Sequence, residues 1–295
     1  MTVVLSTTAL AREQWLSQAH IHRDIVENLT SAARTRKQRG EAHPIEDFMW
    51  TYYSQRPTQF LKWHPGFGVT LLNAPEYLDE RGYQTTDNQT SVSAEFLDQR
   101  FESLTWILRL QTGLLKREPR FACFGLHEWA MVYRREQSEV RHEQAPLRLT
   151  PAEIAEVVES QELKCTHYDA FRFYVPEARS LNHLMLQRED QIENEQSGCL
   201  HANMDLYKWC YKSAPVVSSD LMVRAFLLAR DIRTLDMQAA PYDLRAWGFD
   251  PVRIETAEGR AEYVRRQREF HERGQALRTE LIEQLDSALR TREPR

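Results

Sequence analysis

The stretch from Gly198 to Lys212 limits what this chain can fold into more than any other. Wound as an α-helix at about 100° per residue, it carries Leu200, Met204, Tyr207 and Tyr211 on one stripe. Ala202, Leu206, Trp209 and Cys210 form a second stripe nearly opposite. A helix that is apolar on almost every side belongs in the middle of a protein, with other helices packed around it. The narrow strip left over holds His201, Asp205, Lys208 and Lys212. Imidazole, carboxylate and ammonium groups on a buried helix must be paired or must line a cavity.

The rest of the chain supplies helices to surround it. Behind cap candidates at Ser6, Thr7 and Thr8, the residues Trp15, Ala19, His22, Val26, Leu29 and Ala33 step by four and three, which predicts a long N-terminal helix over about 8–39. Phe101, Leu104, Leu108 and Leu115 mark another over 94–116, and an apolar segment over 126–134 reads as a shorter one. Thr150-Pro151-Ala152-Glu153 combines an N-cap, a first-turn proline and a capping box, opening a helix to about Ser160. Ser218 or Ser219 caps a helix with Leu221, Ala225, Leu228, Ile232 and Leu235 on its core face and Asp231 and Asp236 on its two borders. Thr256 caps a final helix over about 257–290, with leucines every four residues from Leu277 to Leu289. Short strands are expected at 69–72 and 252–255 and also at 165–175, where Asp169-Ala170-Phe171-Arg172-Phe173-Tyr174 could instead be a helical turn, and 73–88 reads as a surface loop or lid. The expectation is a mainly α fold: one globular multi-helix domain over 1–295 with a few short β-strands.

Composition narrows the function classes. With 42% hydrophobic and 27% charged residues the chain is of ordinary globular makeup, and ten Gly and twelve Pro are too few for a loop-rich β architecture. A net charge of -5 means that contact with nucleic acid has to rest on a local basic patch. Only six of the 38 basic residues are Lys, so that patch would be built largely of Arg, which forks onto phosphate. The four cysteines form no C-x-x-C pair, and no apolar run approaches the roughly 20 residues of a membrane span. The expectation is a cytoplasmic protein with no membrane partner.

Six histidines, His43, His64, His127, His167, His183 and His201, sit in apolar or aromatic context, and four have a carboxylate nearby: Asp47, Glu128, Asp169 and Asp205. Such pairs suit general acid–base work or metal ligation. There is no H-E-x-x-H, no repeated E-x-x-H, no G-x-S-x-G and no phosphate-binding glycine loop. The expectation is therefore a site without metal or cofactor. Aromatic and Arg residues cluster at Trp50, Tyr52, Tyr53, Arg56 and Trp63 and again at 171–174, as a pocket that stacks a planar base and holds phosphate requires.

The segments 43–68, Phe124-Gly125-Leu126-His127-Glu128-Trp129-Ala130-Met131-Val132-Tyr133, 165–174, 198–212 and 231–243 together resemble a mainly actinobacterial family known as 3-methyladenine DNA glycosylases. The likeness runs from about Trp15 to Phe270. His64-Pro65-Gly66-Phe67-Gly68 is also superficially similar to the hairpin of helix-hairpin-helix glycosylases, although the downstream catalytic Asp is missing at their spacing. The resemblance implies an enzyme that flips a modified base out of DNA and hydrolyses its N-glycosidic bond. The base is either an alkylation lesion in repair or a hypermodified phage base in defence. On this reading Asp205 is the first choice for the carboxylate that stabilises the sugar cation, with Asp169 and Glu128 behind it, and His201, His127 or His167 protonates the base or positions water. Lys208, Lys212, Arg56 and Arg172 hold phosphate, with Lys208 alternatively a Schiff-base nucleophile, and Trp63, Trp129, Tyr53 and His64 complete the pocket. The alternative is a small-molecule enzyme, metal-dependent in one version, built on the same His/Asp cluster.

Overall fold

In the computed structural model, which describes residues 8–140 and 144–292, helix α1 (Arg12–Arg39) starts later than its periodicity alone predicts. Thr8–Leu10 is strand β1 instead, and the cap is made from inside the helix, where the Gln14 side chain accepts from the Ala11 N–H at 2.8 Å. Ser6 and Thr7 lie outside the described residues. The helix stops where Gly40 adopts φ +68°, a left-handed conformation that costs a glycine little.

β1 is the edge of a small sheet with β2 (Val69–Leu72), β3 (Tyr83–Thr86) and β4 (Gln89–Val92), in the order β1-β2-β4-β3. β1 runs parallel to β2, with Thr8 opposite Val69, and β4 is antiparallel to both β2 and β3. The expected lid at 73–88 is thus part of the scaffold. Asp87 and Asn88 both take positive φ, 50° and 60°, which is the two-residue turn that matches strand twist. Tyr77 and Tyr83 pack the hairpin onto Trp15, Trp63 and Leu71.

The main core lies elsewhere. Helix α4 (Ala94–Lys116) packs on α13 (Ala257–Leu289), which packs on α12 (Ser219–Ala239), and the 198–212 stretch is enclosed by α12 and α13. That stretch is two helices, α10 (Leu200–Met204) and α11 (Leu206–Lys212), interrupted only at Asp205. Its two apolar stripes are buried as expected, with Leu200, Met204, Leu206 and Tyr207 each 1% exposed or less. The Ser218, Thr150 and Thr256 hydroxyls cap their helices as the sequence predicts.

One buried network ties the central helix to its neighbours. Arg278 on α13 donates from Nε to Gln111 of α4 at 3.1 Å and from Nη2 to the Asn203 side chain of α10 at 3.0 Å. Burial pushes the Arg278 pKa down to about 10. Asn203 in turn donates to the Ser197 and Cys199 carbonyls at 2.8 and 3.1 Å. Gly274 makes this possible, because a Cβ there would sit 2.5 Å from Asn203 Oδ1.

Short helices cover the remaining faces: α2 (Phe48–Thr51), α3 (Pro57–Phe60), α5 (Leu126–Met131), α6 (Pro151–Ser160), α7 (Tyr168–Phe171), α8 (Pro176–Arg179) and α9 (Gln191–Asn194). Of the two readings of 165–175, the helical turn holds rather than the strand: the segment is α7 and its flanking turns, because His167 Nδ1 accepts the Ala170 N–H and winds the chain. The strand expected at 252–255 is irregular. The protein is mainly α, a single domain, and among the described residues there is one small sheet and no helix long and apolar enough to cross a membrane.

Candidate functional site: two buried charge clusters behind an aromatic cavity

Three elements bring the first cluster together. The chain enters α5 through Phe124 and Gly125, both at positive φ, and the turn sends His127 and Glu128 inward, where they are 6% and 4% exposed. α12 contributes Arg233 and Asp236, one turn apart and buried, and α10 contributes His201. Arg233 Nη1 lies 2.7 Å from Glu128 Oε1 and 2.7 Å from Asp236 Oδ2, and its guanidinium covers the Phe48 ring at 4.0 Å. His127 Nε2 lies 3.0 Å from Asp236 Oδ1 and 3.9 Å from Glu128 Oε1. Burial by itself opposes charge on Asp236, but His127 and the Arg233 guanidinium outweigh it and hold the carboxyl well below the usual carboxylate range. Burial, reinforced by His127, pushes the His201 pKa far down, so this imidazole is neutral.

The second cluster is organised by Asp205, which is 1% exposed. It accepts from Tyr53 Oη at 3.3 Å, from His167 Nε2 at 3.2 Å and from Lys208 Nζ. Glu195 Oε1 is 3.3 Å from the same His167 nitrogen. Because His167 Nδ1 accepts the Ala170 amide, Nε2 carries the proton and is the donor. Burial opposes a charge on this imidazole, yet Glu195 and Asp205 outweigh it and raise its pKa. Burial likewise opposes charge on Lys208, and Asp205 and Asp169 again win, holding the amine as ammonium far above its usual range. A Schiff-base role needs a neutral amine, so this geometry speaks against that use of Lys208.

His201 joins the clusters. Its ring lies 4.2 Å from that of His127, nearly perpendicular, and 5.3 Å from that of His167.

In front of both clusters is a cavity of about 370 Å³. Phe48, Tyr52, Phe173 and Tyr242 give it aromatic walls; Glu128, Asp169, His201 and Arg233 line it on one side, and His43, Asp47, Thr51 and Gln144 add further polar groups. A wider groove of about 800 Å³ adjoins it, lined by Arg100, Arg188, Lys208 and Lys212 with Trp106, Trp209 and Tyr211. The Lys208 and Lys212 ammoniums lie over Trp209 at 4.4 and 5.7 Å from its ring centre. Asp169 is on the wall of both the cavity and the groove.

Of the residues expected in the site, Glu128, Asp169 and His201 face the cavity, while His127, His167, Asp205, Lys208 and Tyr53 are the buried layer behind or beside it. Lys212 lines the groove. Arg172 is at the rim, paired with Asp169 at 3.2 Å and lying over Phe173 at 4.4 Å. Four expectations are corrected. Trp129 is fully buried with Nε1 donating to the Ala239 carbonyl at 2.8 Å, and Trp63 belongs to the sheet-side core. His64 stacks on Tyr83, whose hydroxyl is 3.0 Å from its Nδ1, and Arg56 is an exposed residue at the start of α3 that lines neither the cavity nor the groove.

The imidazole–carboxylate partnerships also differ from the sequence neighbours. His127 meets Asp236 more closely than Glu128, and His167 meets Asp205 and Glu195 rather than Asp169. Arg233, Asp236 and Glu195 are charged site residues that sequence reasoning missed, as it did the walls Phe48, Tyr242, Trp106 and Trp209 and the groove residue Arg188. The visible trace of the first two was an Arg and an Asp three residues apart along an otherwise apolar helix face. Compared with known protein families, with curated proteins and with solved structures, the chain returns no match.

Proposed function

We propose that the protein is a DNA glycosylase that hydrolyses the N-glycosidic bond of a modified base. The observation that carries this reading is the position of Asp169, shared by the aromatic cavity and the Arg/Lys/Trp groove. In a nucleotide the sugar joins the base to the phosphate. A carboxylate between a base-sized aromatic cavity and a phosphate-binding groove therefore stands where the sugar would lie.

The flipped base stacks among Phe48, Tyr52 and Phe173, with Glu128 and Arg233 offering an acceptor and a donor to its polar edge. Backbone phosphates lie along Arg188 and Lys212, and neighbouring bases stack on Trp106 and Trp209. As the bond from C1′ to the base breaks, its electron pair leaves with the base. Asp169 stabilises the positive charge developing on the sugar and takes a proton from the water that adds to C1′, and that proton passes to the departing base unless alkylation already made it cationic. Lys208 and Arg172 hold the Asp169 carboxylate in place. Asp205, first choice from sequence alone, becomes a positioning residue that anchors Lys208. The resemblance noted above supports the reading, and a cytoplasmic setting suits the free cysteines Cys123, Cys165, Cys199 and Cys210.

The experiment is release of free base from alkylated DNA and from phage DNA carrying hypermodified bases. Wild-type protein is expected to release base, and Asp169→Asn to lower the rate by about 100-fold or more while binding DNA normally. No base release together with no DNA binding at low salt overturns the proposal. Release from free nucleosides but not from DNA moves the protein to the small-molecule class.

A further inference from the structure

We propose that His127, His201 and Asp236 form a binding site for one divalent transition-metal ion, zinc being the best fit to the donor set. Their ligand atoms, one from each residue, all lie within 4.8 Å of one another, and they come from three separate elements, α5, α10 and α12. This departs from the expectation of a metal-free site, and the carboxylates Asp231 on α12 and Asp205 at the end of α10 are engaged elsewhere. Asp205 is engaged by Lys208, His167 and Tyr53, and Asp231 pairs with Arg273 at 2.8 Å on the outer border of α12.

A second observation points the same way. His127 Nε2 and Asp236 Oδ1 are both sealed from solvent and only 3.0 Å apart, yet neither has the alignment of a hydrogen bond to any partner. A buried pair that close but out of hydrogen-bond alignment, with no other group reaching either atom, recovers less than the cost of burying the two groups. Their lone pairs are satisfied together if both are directed at a third point between them. Ligands at the usual zinc bond lengths of roughly 2.0–2.2 Å stand roughly 3.3–3.6 Å apart around a tetrahedral ion, so the 3.0 Å pair has to open slightly and the set, all within 4.8 Å, to close slightly around it.

The surroundings fit a cation. Arg233 takes the other oxygen of Asp236, at 2.7 Å, and so orients Oδ1 toward the two imidazoles. Glu128 and Asp236 together bring two carboxylates against the one guanidinium of Arg233, leaving negative charge in excess. Two nitrogens and one carboxylate oxygen are the donor types of catalytic zinc sites, which keep at least one position open. His201 and Glu128 both line the aromatic cavity, so that open position faces the space where substrate would bind.

The proposal is independent of the glycosylase reading, because its test needs no substrate. Purified full-length protein is stripped with a chelator and titrated with zinc alone by calorimetry, with metal content measured after dialysis. One zinc per chain is expected for wild type and for Asp231→Asn. His127→Gln, His201→Gln and Asp236→Asn are each expected to weaken binding by about 100-fold or more. His201→Gln, the least buried of the three positions, keeps the test open if the other variants fail to fold, with circular dichroism as the check. Folded wild-type protein that binds no zinc overturns the proposal, as does undiminished stoichiometric binding by folded His201→Gln.

Discussion

Lys208 Nζ is 3.0 Å from Asp169 Oδ2, and the same ammonium also donates to Asp205. One side chain thus couples a carboxylate sealed in the core to a carboxylate on the cavity wall. Any change to the buried partner is felt at the exposed one.

Removing that buried partner has a predictable cost. Asp205→Asn leaves the Lys208 ammonium, 8% exposed, with only Asp169 for compensation. Breaking a buried ion pair by deleting one member destabilises a protein by about 3–5 kcal/mol. Urea denaturation of Asp205→Asn, Lys208→Met and the double variant measures it. The double variant is expected to lose less than the two single losses added, since the groups act as one unit.

His64 gives the fold an acid-sensitive element away from the cavity. Burial, helped by Lys62 and His22, pushes its pKa from 6.5 down to about 3. Between those values the unfolded chain binds a proton that the folded chain does not, so stability falls as pH falls. The slope contributed reaches about 1.4 kcal/mol per pH unit. His64→Phe keeps the stacking on Tyr83 and removes the titration. Denaturation midpoints taken from neutral to acid pH are expected to fall less steeply for the variant, and an unchanged slope would sink this account.

The basic groove carries its own expectation. Arg188 and Lys212 are exposed on its lining, and each phosphate contact contributes about 0.9 to the slope of log affinity against log salt. Arg188→Ala and Lys212→Ala are each expected to reduce that slope by about 1 for a DNA duplex, uniformly across sequences. Fluorescence anisotropy over a salt series reads it directly. A slope identical to wild type in both variants would place the DNA elsewhere.

Gly274→Ala probes the close approach of α13 to α10. The added methyl would meet Asn203 Oδ1 at 2.5 Å, and that oxygen is held by Arg278 while the amide nitrogen is held by two carbonyls. With no free side-chain end to yield, overpacking is expected to cost about 1–3 kcal/mol, read as a lowered denaturation midpoint.

Much of the helical architecture is written locally. Periodic apolar faces and hydroxyl caps at Thr150, Ser218 and Thr256 determine where α6, α12 and α13 begin, because those hydrogen bonds close within three residues of the chain. The 198–212 stretch announces a central helix for the same reason, and its strip of His201, Asp205 and Lys208 does mark the site region. The β3–β4 hairpin escaped notice because polar strands such as Gln89–Val92 lack an apolar alternation, and their register comes from pairing across Asp87-Asn88. Which carboxylate each imidazole meets was likewise beyond the sequence. His127 turns from its neighbour Glu128 to Asp236, more than a hundred residues away, and Asp205 withdraws from the cavity to Lys208 and His167 while Asp169 takes the wall. Charge pairing in a core depends on distances between elements rather than along the chain. Sequence therefore determined the helices and the kinds of group available, and tertiary packing alone decided which groups face the cavity and which are locked behind it.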